Sequence, residues 1–188
     1  MAQERHEYCT KMAGLDPTQL VFVDESGINT KLTRLYGRAP RNHRAFGSIP
    51  FGHYERLTVL GALAQDGLVA VMTIAAATTT AIFLAFLSQV LIPALSQSKP
   101  GATVVMDNLS AHKSDAVATV LKEAGFQLVY LPRYSPDLSP IEPCWSKLKT
   151  LLRGHAPRSR EAIEQDLPPS LKAVTAHDAQ NWFKFCGY

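Results

Sequence analysis

The chain has 188 residues, 46 % of them apolar, which suits a single domain able to bury a large share of its surface. A net charge of +3 and a pI near 8.8 admit nucleic acid as a partner without demanding it. Cys9, Cys144 and Cys186 lie far apart with no Cys-x-x-Cys spacing, which argues against a disulfide framework or a structural zinc site and for a reducing, cytosolic compartment.

Residues 1 to 18 are polar, contain Gly14 and Pro17, and read as an N-terminal arm, a short helix or a linker remnant ahead of a domain spanning 19 to 188. Their charged start lacks the apolar core of a signal peptide. Leu20 to Val23 form a short buried strand ending in Asp24, after which Gly27 permits a turn. Residues 28 to 50 carry Gly37, Pro40, Gly47 and Pro50 without a clean period, so irregular structure is expected there. Leu57 to Ala64 and Leu68 to Ala75 flank Gln65-Asp66-Gly67, a strong antiparallel hairpin signal.

From Gly67 to Ser98 no residue is charged, long enough to cross a bilayer. Thr78-Thr79-Thr80 interrupts that run, β-branched residues precede it and helix formers follow it. A buried strand and then a buried helix over Thr80 to Leu95, capped by Thr79 or Thr80, explain it better than a membrane span. Thr103 to Met106 is the next strand, ending in Asp107. Asp115 to Ala124 is a short helix between a Ser114 cap and a Gly125 stop. Phe126 to Leu131 is a strand, and Ser139-Pro140-Ile141-Glu142 opens a helix with the pattern of a capping box. One or two further helices, broken at Pro168-Pro169, complete the chain. The layout predicts a mixed α/β fold with a sheet of about five strands, the first three an antiparallel meander, and flanking helices.

Asp24 and Asp107 both follow apolar strands, and Glu142 sits in the first turn of a helix. Such ends are where α/β folds gather chemistry. Converging carboxylates suit hard divalent cations, which take oxygen ligands and keep several waters. Two such ions support phosphodiester displacement, a reaction that asks the protein mainly to position charge. Each residue also has a plainer reading. Asp24 and Asp107-Asn108 could be turn formers, and the capping box could occupy Glu142. Along the last helix, however, Glu142, Ser146, Lys149 and Arg153 share one stripe while Ile141, Trp145, Leu148 and Leu152 share the other. That sets a carboxylate on the face opposite the packed one. Glu25 points to the other face of its strand from Asp24 and is left out of the metal shell.

These motifs resemble the catalytic domain of the mariner-like transposases, in their bacterial insertion-sequence branch. The resemblance rests on Val23-Asp24-Glu25-Ser26-Gly27, on Met106-Asp107-Asn108 with Ala111-His112-Lys113, and on Ser135-Pro136-Asp137-Leu138-Ser139-Pro140-Ile141-Glu142 with Trp145. Between Asp107 and Glu142 lie residues 108 to 141, 34 in all, the spacing of that branch. It implies a ribonuclease-H-like fold and an Asp24, Asp107, Glu142 triad holding two Mg²⁺ or Mn²⁺ ions. It further implies cleavage at insertion-sequence ends and strand transfer into double-stranded DNA at TA sites, by a homodimer in the bacterial cytoplasm at the nucleoid. Relatives carry an N-terminal helix-turn-helix reader, and with about twenty residues ahead of the first strand this chain is expected to be a catalytic half. The reader would then belong to a separate chain or frame. The competing readings are a ribonuclease-H-like nuclease without strand transfer and a silent remnant that only binds DNA.

Basic residues extend the reading. No acid occurs from Ser26 to Tyr54, whereas Lys31, Arg34, Arg38, Arg41 and Arg44 all do. A solvated loop is the default, and beside a metal site it becomes a DNA-backbone clamp, extended by Arg133, Lys149 and Arg153. Asn108 and His112 are expected to support the ligands rather than to bind metal, and Trp145 is expected in the core.

Overall fold

A computed structural model describes residues 2–34 and 36–188; Met1 of the expected arm and Leu35 of the expected irregular stretch lie outside the described residues. Five strands form one sheet in the order β3-β2-β1-β4-β5: β1 Leu20–Asn29, β2 Arg56–Ala64, β3 Gly67–Ile74, β4 Thr103–Met106 and β5 Gln127–Tyr130. The first three make the expected antiparallel meander, and β4 and β5 add in parallel. Helices cover both faces: α1 Ala2–Ala13, α2 Thr80–Ser98, α3 Asp115–Glu123, α4 Ile141–His155, α5 Arg160–Lys172 and α6 Ala176–Phe185.

Strand alternation divides the core. Leu20, Phe22 and Ile28 face a cluster with Trp145, Leu148, Ile163 and Phe183, on the side of α1, α4, α5 and α6. Val21 and Val23 face Phe83, Phe86, Leu91, Val117 and Leu121, on the side of α2 and α3. The α2 segment is long and apolar enough to cross a bilayer by length and composition. Here its Phe83, Phe86, Leu87, Leu91 and Leu95 are fully buried against the sheet. Thr79 caps it, accepting from the Ile82 N–H. Its middle, Leu87–Leu91, widens into a π-turn just before Pro93. In regular α geometry that proline ring would press on the Gln89 carbonyl, and the wider turn makes room for it.

Of the alternatives for the N-terminal segment the structure shows the helix, α1, with Tyr8 and Met12 buried in the core. Three sequence expectations change. β1 runs on through Gly27 to Asn29, because β2 supplies antiparallel partners for the whole stretch. Pro168 and Pro169 lie inside α5 rather than breaking it. The capping box at Ser139 does not form. Pro136–Leu138 is a 3₁₀ turn, Pro140 is the cap residue of α4, and no side chain caps that helix.

Candidate active site

The parallel pairing of β1 with β4 ends at Val23 and Met106. Asp24 and Asp107 are the next residue on each strand, so the end of one ladder sets two carboxylates side by side. β1 itself continues along β2, with Asp24 directly opposite Gly61. α4 then brings Glu142, exposed in its first turn, to the same place. Asp24, Asp107 and Glu142 line one cavity of about 530 Å³, together with Asn108, Lys113, Arg133, Tyr134 and Ser139. Freed from capping, the Glu142 carboxylate has no competing structural duty at the helix start.

The two aspartates differ in environment. Burial, and then the negative charges of Glu142, Glu25 and Asp107, push the Asp24 carboxyl up to about 7. Its Oδ2 accepts a 2.9 Å hydrogen bond from the Trp145 indole N–H. Asp107 is half-exposed, and its Oδ1 accepts from the Leu109 N–H at 2.9 Å and lies 2.6 Å from His112 Nδ1. Burial would raise the Asp107 carboxyl, but these contacts outweigh it and hold it below the usual carboxylate range.

His112 is the hub beneath the site. Its side chain is fully buried, with the imidazole 4.1 Å from the Phe83 ring centre. On the far side, Nε2 lies 3.1 Å from Glu25 Oε2. Those two atoms are not aligned as a hydrogen bond and have no other hydrogen-bonding partner, so the contact is electrostatic. Burial favours neutral imidazole, yet Asp107 and Glu25 push its pKa up to about 9, and the ring is a cation at neutral pH. Glu25 thus faces away from Asp24, as strand alternation requires, but it is no surface group: it helps to hold the cation that holds Asp107.

The loop carrying Glu142 into place is anchored from both chain ends. Arg5 of α1 donates to both carboxylate oxygens of Asp137 and to Ser135 Oγ. Tyr8 and Tyr188 share a 2.7 Å hydroxyl contact, and Tyr188 donates to the Leu138 carbonyl at 2.7 Å. Asn108 donates to the Leu131 carbonyl and so ties the loop after β4 to the end of β5.

The all-oxygen carboxylate set fits a hard divalent cation. Burial, together with the neighbouring negative charge, keeps the Asp24 carboxyl near 7, and a cation bound there would favour its ionised form. Among the described residues no group of three or more His, Cys, Asp or Glu side chains is drawn together as a metal cage. The carboxylates line an open site, the arrangement expected where substrate phosphate and water supply further ligands.

Of the expected DNA contacts, Arg133 lines the cavity. Lys31, Arg34, Arg38, Arg41, Arg44, Lys149 and Arg153 do not. Lys31 instead stacks on the Tyr54 ring, 4.9 Å from its centre, and Arg34, Arg38, Arg41 and Arg44 are exposed. Lys113 and the 89 % exposed Tyr134 are cavity residues that sequence reasoning missed, although Lys113 ends one quoted motif and Tyr134 immediately precedes another.

The sequence places this fold in a class: residues 19–164 match the family model for the DDE superfamily endonucleases, and the chain belongs to that family. Its ribonuclease-H-like fold is shared with mariner transposase structures. The catalytic domain of Mos1 mariner transposase matches with a TM-score of 0.74 at 15 % identity, over 97 % of this chain and 84 % of that one. The Mos1 transposase paired-end complex with left transposon end matches with a TM-score of 0.79 at 16 % identity, over 97 % of this chain and 56 % of that one. The Mos1 strand transfer complex matches with a TM-score of 0.76 at 18 % identity, over 97 % and 56 %. The chain therefore spans just over half the length of the transposase in those complexes. Comparison with curated proteins finds no match.

Proposed function

We propose that the chain is the catalytic domain of a DNA transposase acting at the ends of an insertion sequence. The observation that carries this reading is the placement of Asp24, Asp107 and Glu142, from three different elements, on the wall of one cavity. In the first step water attacks a phosphodiester at the element end, a new phosphorus–oxygen bond forms, and the element's 3′-oxygen leaves as a hydroxyl. In the second, that 3′-hydroxyl attacks a phosphodiester of double-stranded target DNA, at a TA dinucleotide, and displaces the target's own 3′-oxygen.

Asp24, Asp107 and Glu142 would hold two Mg²⁺ or Mn²⁺ ions, whose chemistry is to activate the attacking oxygen and stabilise the leaving one. The protonated His112 steadies Asp107 from beneath. Lys113 and Arg133, both exposed on the cavity wall, offset phosphate charge as the backbone enters. Solved relatives support the reading: Mos1 complexes are described with Mn, with Mg and with transposon ends. Pairing of two element ends by a homodimer and end recognition by a helix-turn-helix reader complete the proposal.

The test is strand transfer in vitro, with the purified chain, a pre-cut element end, plasmid target and Mn²⁺. Joined product, lost in Glu142→Gln, is the expected result. Hydrolysis of the plasmid without joining would reduce the function to a nuclease. No product, even with a helix-turn-helix reader supplied, would overturn catalysis and leave a DNA-binding remnant.

A further inference from the structure

Trp145 is 2 % exposed and packs among the core residues beneath the sheet. An aromatic ring in such a place is ordinary; a buried indole N–H is not, because it needs an acceptor. The acceptor here is Asp24 Oδ2, at 2.9 Å. A phenylalanine would keep an aromatic ring in the core without donating to the carboxylate.

The strand beside Asp24 carries a second, independent mark of the same arrangement. Gly61 interrupts the apolar run of β2 at the position directly opposite Asp24. A Cβ built there would lie 2.5 Å from Trp145 Cη2, closer than such atoms approach, and a tight 3.1 Å from Cζ2. A glycine inside a strand gives up side-chain packing and often marks a close approach by another group. At this one register position β2 omits a side chain, and the vacated space holds the far edge of the indole.

Resting on the carboxylate-metal reading above, we propose that Trp145, seated by Gly61, is a positioning residue for Asp24. The indole N–H fixes the rotation of the carboxylate, and since that group is planar, holding one oxygen sets the direction of the other. Trp145 also lies three residues after Glu142, one turn along the same helix. The hydrogen bond therefore ties the helix bearing Glu142 to the strand bearing Asp24 and sets the separation of the two carboxylates. Bulk packing would hold the helix against the sheet; only the N–H specifies where it sits relative to Asp24.

The experiment is calorimetric titration of the full chain with Mn²⁺ and, separately, Mg²⁺, alongside thermal unfolding of each metal-free variant. Trp145→Phe keeps a ring and removes the N–H, whereas Gly61→Ala keeps the N–H and displaces the ring. Each should weaken Mn²⁺ binding by roughly 10-fold or more, the usual cost of losing a group that orients a metal ligand. In the Trp145→Phe background, Gly61→Ala should cost no further stability and no further affinity, because the clashing ring edge is gone. Asp24→Asn separates the two levels of the argument. If it leaves Mn²⁺ binding unchanged, the carboxylate reading itself fails and takes the proposal with it. If it weakens binding while Trp145→Phe and Gly61→Ala bind as the unaltered chain does, Trp145 is core packing only and the positioning role is overturned, whatever those variants do to stability. Should Trp145→Phe fail to fold, Gly61→Ala decides by the same criterion.

Discussion

At the residue scale the site is a problem of neighbouring negative charge with two local solutions. Asp107 is stabilised in its charged form by the buried His112 cation, which Glu25 supports from below. Sequence reasoning alone would have Asp107→Ala relieve carboxylate repulsion. The structure moves that relief to Asp24, because removing Asp107 would strip a buried cation of its closest partner. Among the described residues Asp24 has no cationic partner, and its raised pKa is a destabilising contribution in the metal-free chain. Below about pH 4 the carboxyl is protonated whether the chain is folded or unfolded, and the contribution is absent. As pH rises from about 4 toward 7 the unfolded chain releases the proton first, so stability falls and then levels off above the folded value of about 7. Asp24→Asn in a chelating buffer should abolish this slope and melt higher than the unaltered chain at pH 8. Thermal unfolding from pH 4 to 8 checks it, and an unchanged slope would show that Asp24 is not the crowded group. Both aspartates could be read from sequence because each follows an apolar strand. Glu25 could not, since its partner comes from a buried turn five residues after Asp107. The duty of Trp145 was equally hidden: an i, i+3 stripe assigns a tryptophan to the core without saying where its N–H points.

At the scale of elements, strands were easier to read than helix ends. Apolar runs bounded by Asp-Gly or acidic residues have few alternatives, and β4 stands where the pattern put it. The start of α4 shows why caps are harder. Ser139-x-x-Glu142 has the capping-box sequence, but Pro136 and Pro140 favour a 3₁₀ turn that carries Ser139 out of the capping position. A working capping box occurs instead at Thr175 and Asp178 of α6. There Asp178 accepts from the Thr175 N–H and hydroxyl and from Lys147 Nζ of α4 at 2.6 Å, so one carboxylate caps a helix and cross-links two. The Lys147 contact, followed by the Thr175 bonds, lowers the Asp178 carboxyl to about 2. Its contribution is therefore complete above the unfolded value near 4 and is lost as pH falls through about 2. Asp178→Ala should cost about 1 kcal/mol at pH 7, the typical worth of a cap, and the difference from the unaltered chain should shrink toward pH 2. Urea unfolding at pH 7 and pH 2.5 measures both, and a cost undiminished at the lower pH would assign the effect to packing. Pro168 and Pro169 were misread for a related reason. Propensity penalises proline inside a helix, yet burial of Ile163, Leu167 and Ser170 along one face holds α5 together across them.

At the scale of the whole molecule, the Glu142 loop depends on contacts that span the chain. Its Asp137 and Ser135 are held from Arg5, and its Leu138 carbonyl from Tyr188, which in turn meets Tyr8. No local pattern in the sequence foretells this, because the partners are separated by as many as 180 positions. What could be read was the antiparallel meander of the first three strands, whereas the pairing that brings the end of β1 beside the end of β4 came from the structure. What could not was that α1, an unremarkable polar segment, buries Tyr8 and Met12 against the same core as α4. The two kinds of contact differ in strength. Arg5 and Asp137 are substantially exposed, so Arg5→Ala should cost little stability and lose that effect in high salt. Tyr8 is 6 % exposed, and Tyr8→Ala removes a buried ring together with the hydroxyl that meets Tyr188, at a cost of about 3 kcal/mol. If α1 steadies the loop through Tyr188, hydrogen exchange at Leu138, Ile141 and Glu142 should quicken in Tyr8→Ala under native conditions while exchange within β1 and β4 changes far less. Uniform acceleration across the sheet would instead mean that α1 only adds global stability. No change at the loop would detach α1 from the positioning of Glu142, leaving the 3₁₀ turn and the packing of α4 to hold the third carboxylate unaided.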